Sequence, residues 1–211
     1  MALSFATSKG GAVSKKVDTY TYKDGENTLR LVGGILPRYV YWVKGTNDKD
    51  IPVECLAFNR DKEKFDNLEV DHVAETHPDL KCSWSYTMNC IDPTDGKVKV
   101  LPLKKKLFAQ IRDAAADLGD PTDPDEGWDV VFKRAKTGPL AYNIEYTLSV
   151  LRCKKRPLNE TERAAVAAAD TIDTKYPRAT PAEVLALLTR LSGDDSGSSP
   201  SVDKEAVDEL G

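Results

Sequence analysis

The run Arg38-Tyr39-Val40-Tyr41-Trp42-Val43-Lys44 sets three aromatic rings between two cations. Side chains alternate along a strand, so Arg38, Trp42 and Lys44 share one face and Tyr39 and Tyr41 the other. Whichever face turns outward, rings stand exposed or half exposed. A ring of this kind stacks on a nucleobase for about 1–3 kcal/mol, while a neighbouring cation meets the phosphate. The competing reading is a plain amphipathic strand. Two further segments follow the same rule. Lys97 and Lys99 lie on one strand face and lead into Lys104, Lys105 and Lys106, a lysine track. Lys133, Arg134 and Lys136 end the run Trp128 to Lys136, before the turn Thr137-Gly138-Pro139, and Tyr142 follows. Arg60, two residues after Phe58, joins the set. One charge run is ordinarily solvated surface. Several, interleaved with rings on consecutive strands, are a candidate groove for a single-stranded polyanion.

Other chemistries find less support. In Lys81 to Cys90, residues Cys82, Trp84, Tyr86, Met88 and Cys90 alternate onto one face. Their sulfur-rich company favours a core face over a stacking platform. Zinc sites usually announce themselves by Cys-x2-4-Cys pairs. Here Cys82 and Cys90 are eight apart, with Cys55, His72 and His77 scattered, so no metal is expected. The stretch Asp120 to Gly127 is acidic but misses the calcium-loop spacing, and its prolines and glycine suit a rigid turn. Gly10-Gly11 and Gly33-Gly34 lack the phosphate-loop pattern, and no Gly-x-Ser-x-Gly elbow occurs. These observations point to a non-enzymatic protein without a cofactor.

The elements that must position these residues read as mainly β with appended helices, an α+β class. Short β-type runs cover 29–36, 38–44, 51–58, 81–91, 97–101, 128–136 and 142–152, separated by turn-forming residues. Asp61 to Pro78 is charged and irregular, and reads as a long inserted loop. Leu103, Leu107, Phe108, Ile111, Ala115 and Leu118 recur at helical spacing until Gly119. Lys104 to Lys106 in the first turn of that helix oppose its dipole, which suggests another use for them. After Pro157, Asn159 with Glu162 and Thr180 with Pro181 and Glu183 announce two capped helices. The sum is an OB-type five-stranded β-barrel with one inserted helix and a C-terminal helical pair. A β-sandwich with edge helices is the competing architecture.

Composition sets the bounds. The 211 residues are 40% hydrophobic and 30% charged, with a net charge of −4. That balance is globular, and no apolar stretch approaches the roughly 18 residues of a membrane span. From Gly193 onward Asp194, Asp195, Asp203, Glu205, Asp208 and Glu209 face one base, Lys204, for a net −5. The remainder holds 29 Lys and Arg against 28 Asp and Glu. A near-neutral body can still carry a basic face, because the field is local and screened over about 10 Å. The chain therefore divides into a flexible basic arm (1–27), a core (28–157), C-terminal helices (158–192) and a disordered acidic tail (193–211). Four irregularly spaced cysteines suit reduced thiols, and residues 1–11 lack a secretory signal, so a cytoplasmic location is expected.

The region from about Gly25 to Pro157 resembles the single-stranded DNA-binding proteins of tailed bacteriophages, the T4-type helix-destabilising group and its distant relatives. The likeness rests on Asn27-Thr28-Leu29-Arg30-Leu31 leading into the Tyr39–Trp42 strand, on the lysine track into the helix at Leu103, and on Gly127-Trp128 through Tyr146. The order of basic arm, barrel and acidic tail is similar too. The resemblance implies sequence-tolerant coating of single strands in replication, recombination and repair, inside the host cell. It also implies a tail that recruits replication or recombination proteins and competes for the DNA groove, and a monomer or weak self-association along DNA. The compact zinc-binding cysteine cluster of the T4-type group is missing here, so metal dependence is not carried over. The tail ends Asp208-Glu209-Leu210-Gly211, without the terminal Phe of bacterial counterparts. A protein-interaction module, such as a phage transcription or recombination cofactor, is the alternative reading.

Overall fold

The computed structural model describes residues 17–45, 48–140 and 142–194. Most of the expected basic arm (1–16) and nearly all of the acidic tail (195–211) lie outside the described residues. The fold is mainly β, in three antiparallel sheets with helices added. The main sheet has the order β10-β9-β1-β7-β8, built from β1 (Gly25–Leu36), β7 (Thr87–Asp92), β8 (Lys97–Pro102), β9 (Asp129–Lys136) and β10 (Ile144–Leu148). An inserted unit lies between β1 and β7. It holds a three-stranded sheet of β2 (Tyr39–Lys44), β3 (Asp50–Glu54) and β6 (Ser83–Trp84), the small pair β4 (Phe58–Asn59) and β5 (Lys64–Phe65), and helix α1 (His72–Thr76).

β1 organises the main sheet. Its first half, Gly25 to Arg30, pairs with β9, and its second half, Arg30 to Leu36, pairs with β7. The register slips between Val32 and Ile35, where Gly33 adopts φ +72°. A bulge needs a residue that accepts the left-handed region, and glycine does so without a Cβ penalty. Beyond Leu36 the chain leaves the main sheet for the inserted unit, so the single expected strand over 81–91 is divided. Ser83–Trp84 serves the inserted sheet and Thr87–Asp92 the main one. The expected strand over 51–58 likewise ends at Glu54, and the charged stretch 61–78 contains β5 and α1.

The sheet does not close. Among the described residues no strand pairing joins β8 to β10, so the five strands of the expected OB-type barrel form a sheet that is not closed. Both free edges are nonetheless covered, as exposed edges invite aggregation. Asp18–Tyr20 lines β8, with Tyr20 N donating to Val100 O (2.7 Å) and Val100 N to Asp18 O (2.8 Å). Helix α2 (Lys105–Leu118), which links β8 to β9, covers β10. Its Gln110 donates Nε2 to Tyr146 O (2.8 Å) and accepts from Leu148 N (2.7 Å), imitating a strand partner. Tyr22 spans the seam, its hydroxyl on Pro102 O (2.8 Å) and its ring against Phe132 and Tyr146.

The core lies on both faces of the main sheet. One face, with Leu29, Leu31, Met88, Cys90 and Phe132, joins Leu107 and Ile111 of α2 and Tyr41, Val53 and Leu56 of the insert in the principal core. The opposite face carries Val32, Ile91 and Val98 against Leu158 and Val166, and Leu36 and Val100 against Ile172 and Tyr176. Among the described residues three α-helices rather than two follow Pro157, α3 (Glu160–Ala168), α4 (Ile172–Lys175) and α5 (Pro181–Thr189), the last running into a π-helical turn over Arg190–Asp194. The capping boxes at Asn159/Glu162 and Thr180/Glu183 stand as the sequence indicates.

Candidate nucleic-acid interface

Helix α2 starts from an extended Lys104 that makes no side-chain cap. Its first N–H groups are therefore left to solvent or to an anion, at the positive end of the helix dipole. Lys104 lies over the Tyr22 ring, 5.3 Å from its centroid. Lys105 and Lys106 are exposed. Three-residue spacing puts Lys105 beside Phe108 on the helix surface. Phe108 in turn touches Trp84 and Tyr86, at 6.1 and 6.3 Å between ring centroids.

Further exposed cations lie along β9 and at its end. Lys133 and Lys136 are exposed, and Tyr142 is 59% exposed. Arg134 in the same strand is clasped by Asp24. Lys105, Lys106, Lys133 and Lys136 have no ion-pair partner among the described residues. That leaves their charge available to phosphate.

Most of the remaining candidates are occupied. Tyr41 is only 6% exposed, and its hydroxyl donates to Asp71 (3.2 Å), so it does not stand at the surface as its alternation allowed. Burial, with the Cys55 thiol and Asp71 beside it, pushes the phenol strongly up. Arg38 is half-buried, donating Nε to Ser85 O (3.3 Å) with its guanidinium 4.2 Å over the Tyr176 ring. Arg60 grips Glu54 and donates Nη1 to Tyr176 O (3.2 Å). Both arginines therefore tie the insert to the C-terminal segment. Lys44 pairs with Asp50 (2.9 Å). Lys97 is exposed at the β7–β8 turn, but Lys99 is held by Asp92 (2.8 Å) and Asp95 (2.9 Å). The lysine track thus breaks at its second member. Trp42 is half-buried with Nε1 on Ser83 Oγ (3.3 Å).

Tyr39 is half-buried and touches Phe58 (4.8 Å) and Phe65 (5.0 Å). Opposite it in the strand register stands Trp84, whose indole stacks on Tyr86 at 4.5 Å and 14°. Phe65, 49% exposed, was hidden from sequence reasoning inside a charged loop. Its only local signal is being the one aromatic ring among Lys62, Lys64 and their acidic neighbours. Phe108 was masked by helical periodicity, which counted it as core. No group of three or more His, Cys, Asp or Glu side chains is placed to hold a metal among the described residues. No helix among them is long and apolar enough to cross a membrane.

No family model matches the chain. A curated protein of Escherichia phage T5, named "Probable ssDNA-binding protein", is 31% identical over 159 residues, covering 69% of this chain. The chain is a homologue of this phage protein. The likeness to phage single-stranded DNA-binding proteins read from the sequence is thereby shown. The matched region spans 60% of the relative's own length. The narrower likeness to the T4-type group rests on the sequence segments alone.

Proposed function

We propose that the protein binds single-stranded DNA with little sequence preference and coats it during phage replication, recombination and repair. The observation that carries this reading is the presence of unneutralised cations together with accessible rings: Lys105 and Lys106 in the first turn of α2, with Phe108 three residues from Lys105, and Lys133 and Lys136 of β9 with the exposed Tyr142 beyond the strand. Phosphate attraction and base stacking are the two sequence-tolerant forces a single strand offers. The name of the phage T5 relative, a probable ssDNA-binding protein, agrees with it. An OB-type origin for the main sheet also supports it. Counted without the insert, its five strands run in the order 5-4-1-2-3, with α2 between the third and fourth. In that scheme the insert is the loop between strands one and two, and Tyr142 lies in the loop between four and five. Those are the loops by which OB-folds grip oligonucleotides. The cations held in ion pairs (Arg60, Lys44, Lys99, Arg134), and Arg38 on the Ser85 carbonyl and the Tyr176 ring, would contribute only after exchanging partners.

The acidic segment 193–211 would act as an intramolecular competitor for the lysines and as a handle for replication proteins. A titration with oligo-dT, with and without residues 193–211, tests DNA binding and the competitor role. The full chain should bind with log K falling linearly in log salt, by about 0.7 per neutralised phosphate. The truncated chain should bind more tightly at low salt, because an anion at roughly millimolar effective concentration is removed. No binding at low salt would leave a protein-interaction module as the better reading, which the exposed Leu68 and Leu151 favour.

A further inference from the structure

We infer that the single strand crosses the inserted unit and the start of α2, and does not run over the outside of β7 and β8. This rests on the DNA-binding reading above and goes further by choosing the surface. Outside the barrel, strands two and three are where an OB-fold ordinarily receives nucleic acid. Here that surface is sealed. Paired residues of β7 and β8 share a face, so Ile91 with Val98 and Asn89 with Val100 point away from the principal core. Leu158, Val166 and Ile172 cover the apolar members. Asn89 locks the cover, donating Nδ2 to Asp170 O (3.1 Å) and accepting from Lys175 Nζ (2.8 Å). Opening this face would bare a continuous apolar strip, which costs about 25 cal/mol per Å².

The inserted unit offers the opposite. Tyr39 and Trp84 sit side by side across β2 and β6, with Phe65 edge-on to Tyr39 and Phe108 against Trp84. Phe65 is half exposed, and Tyr39, Trp84 and Phe108 are partly so. These rings come from four separate elements, and their contacts with one another fix their orientation in advance of any ligand. Lys105 stands three residues from Phe108, within reach of the phosphate of a base stacked there. Rings held in place, open on one side and bordered by a free cation, form a stacking platform.

The test uses the full chain, a dT oligonucleotide, and two readouts, anisotropy of the labelled DNA and tryptophan emission. Phe65→Ala should weaken binding about 5- to 150-fold, the range for one lost stacking ring. Its melting temperature should stay close to wild type. Trp84→Phe keeps a stacking ring, so affinity should hold within about two-fold by this argument, while the DNA-induced quenching disappears. Trp42→Phe and Lys97→Gln, off the platform, should leave quenching and affinity respectively near wild type. Wild-type affinity in Phe65→Ala together with full quenching in Trp84→Phe would overturn the path while leaving DNA binding intact. A larger loss in Lys97→Gln than in Phe65→Ala would also overturn it. If the wild-type chain gives no anisotropy change, path and DNA-binding reading fall together.

Discussion

Lys99 and Lys105 are the same residue type six positions apart, and their surroundings give them different work. Lys99 reaches Asp92 and Asp95, and those hydrogen bonds hold its ammonium well above the usual lysine range. Lys105 and Lys106 meet no carboxylate among the described residues. The double variant Lys105→Gln/Lys106→Gln should therefore flatten the log K against log salt line by about 1.4, two phosphates' worth, with an unchanged melting temperature. A salt titration by anisotropy reads this directly. Asp92 gives a prediction of the opposite kind. Burial pushes its carboxyl up, but hydrogen bonds from Lys99 and Thr94 outweigh that and hold it at about 2. A carboxylate depressed in the folded state stabilises above its unfolded value and loses that contribution as pH falls through the folded one. Between about pH 4 and pH 2 the wild type should lose about 2 kcal/mol from this group, and Asp92→Asn should show a shallower acid limb. Urea unfolding across that pH range measures it. The identity of these residues was plain in the sequence. Which cations were already neutralised was not, because Asp92 and Asp95 become partners of Lys99 only when the β7–β8 hairpin forms.

At the scale of elements, α2 both presents the lysines and closes the sheet. Gln110→Leu removes two bonds to the β10 backbone and leaves Tyr146 O and Leu148 N without that partner. The cost should be about 1–3 kcal/mol, and the melting temperature should fall by several degrees. Hydrogen exchange at the Leu148 amide should accelerate more than at amides of β7. Helix boundaries were legible because their signals are local. Asn159 with Glu162, and Thr180 with Pro181 and Glu183, need only their own turn to act. The short α4 was missed, since Ile172 is its one buried residue and offers no periodicity. The strand over 81–91 looked continuous because alternation does not reveal that Ser83–Trp84 and Thr87–Asp92 pair with different partners.

Across the whole molecule, the C-terminal segment fastens the insert to the rest. Arg178 reaches Glu54 (3.1 Å), Glu69 (3.3 Å) and the carbonyls of Leu56 (3.0 Å) and Phe58 (3.1 Å). Arg178→Ala removes those bonds and leaves Glu54 to Arg60 alone. It should lower the melting temperature by several degrees and speed proteolysis in the 176–192 region, at a cost of about 1–3 kcal/mol. Calorimetry and limited proteolysis would check it. The sequence by itself determined the mainly β class, the extent of α2, the two capping boxes and the separation of an acidic C-terminus from a near-neutral body. Each of these follows from composition or from neighbours within a few residues. Only the tertiary structure decided that Tyr41 is buried, that Arg38 and Arg60 hold the C-terminal segment, and that Phe65, Tyr39, Trp84 and Phe108 meet. Exposure and charge pairing depend on chain segments distant in sequence, and no local pattern records which of them will arrive.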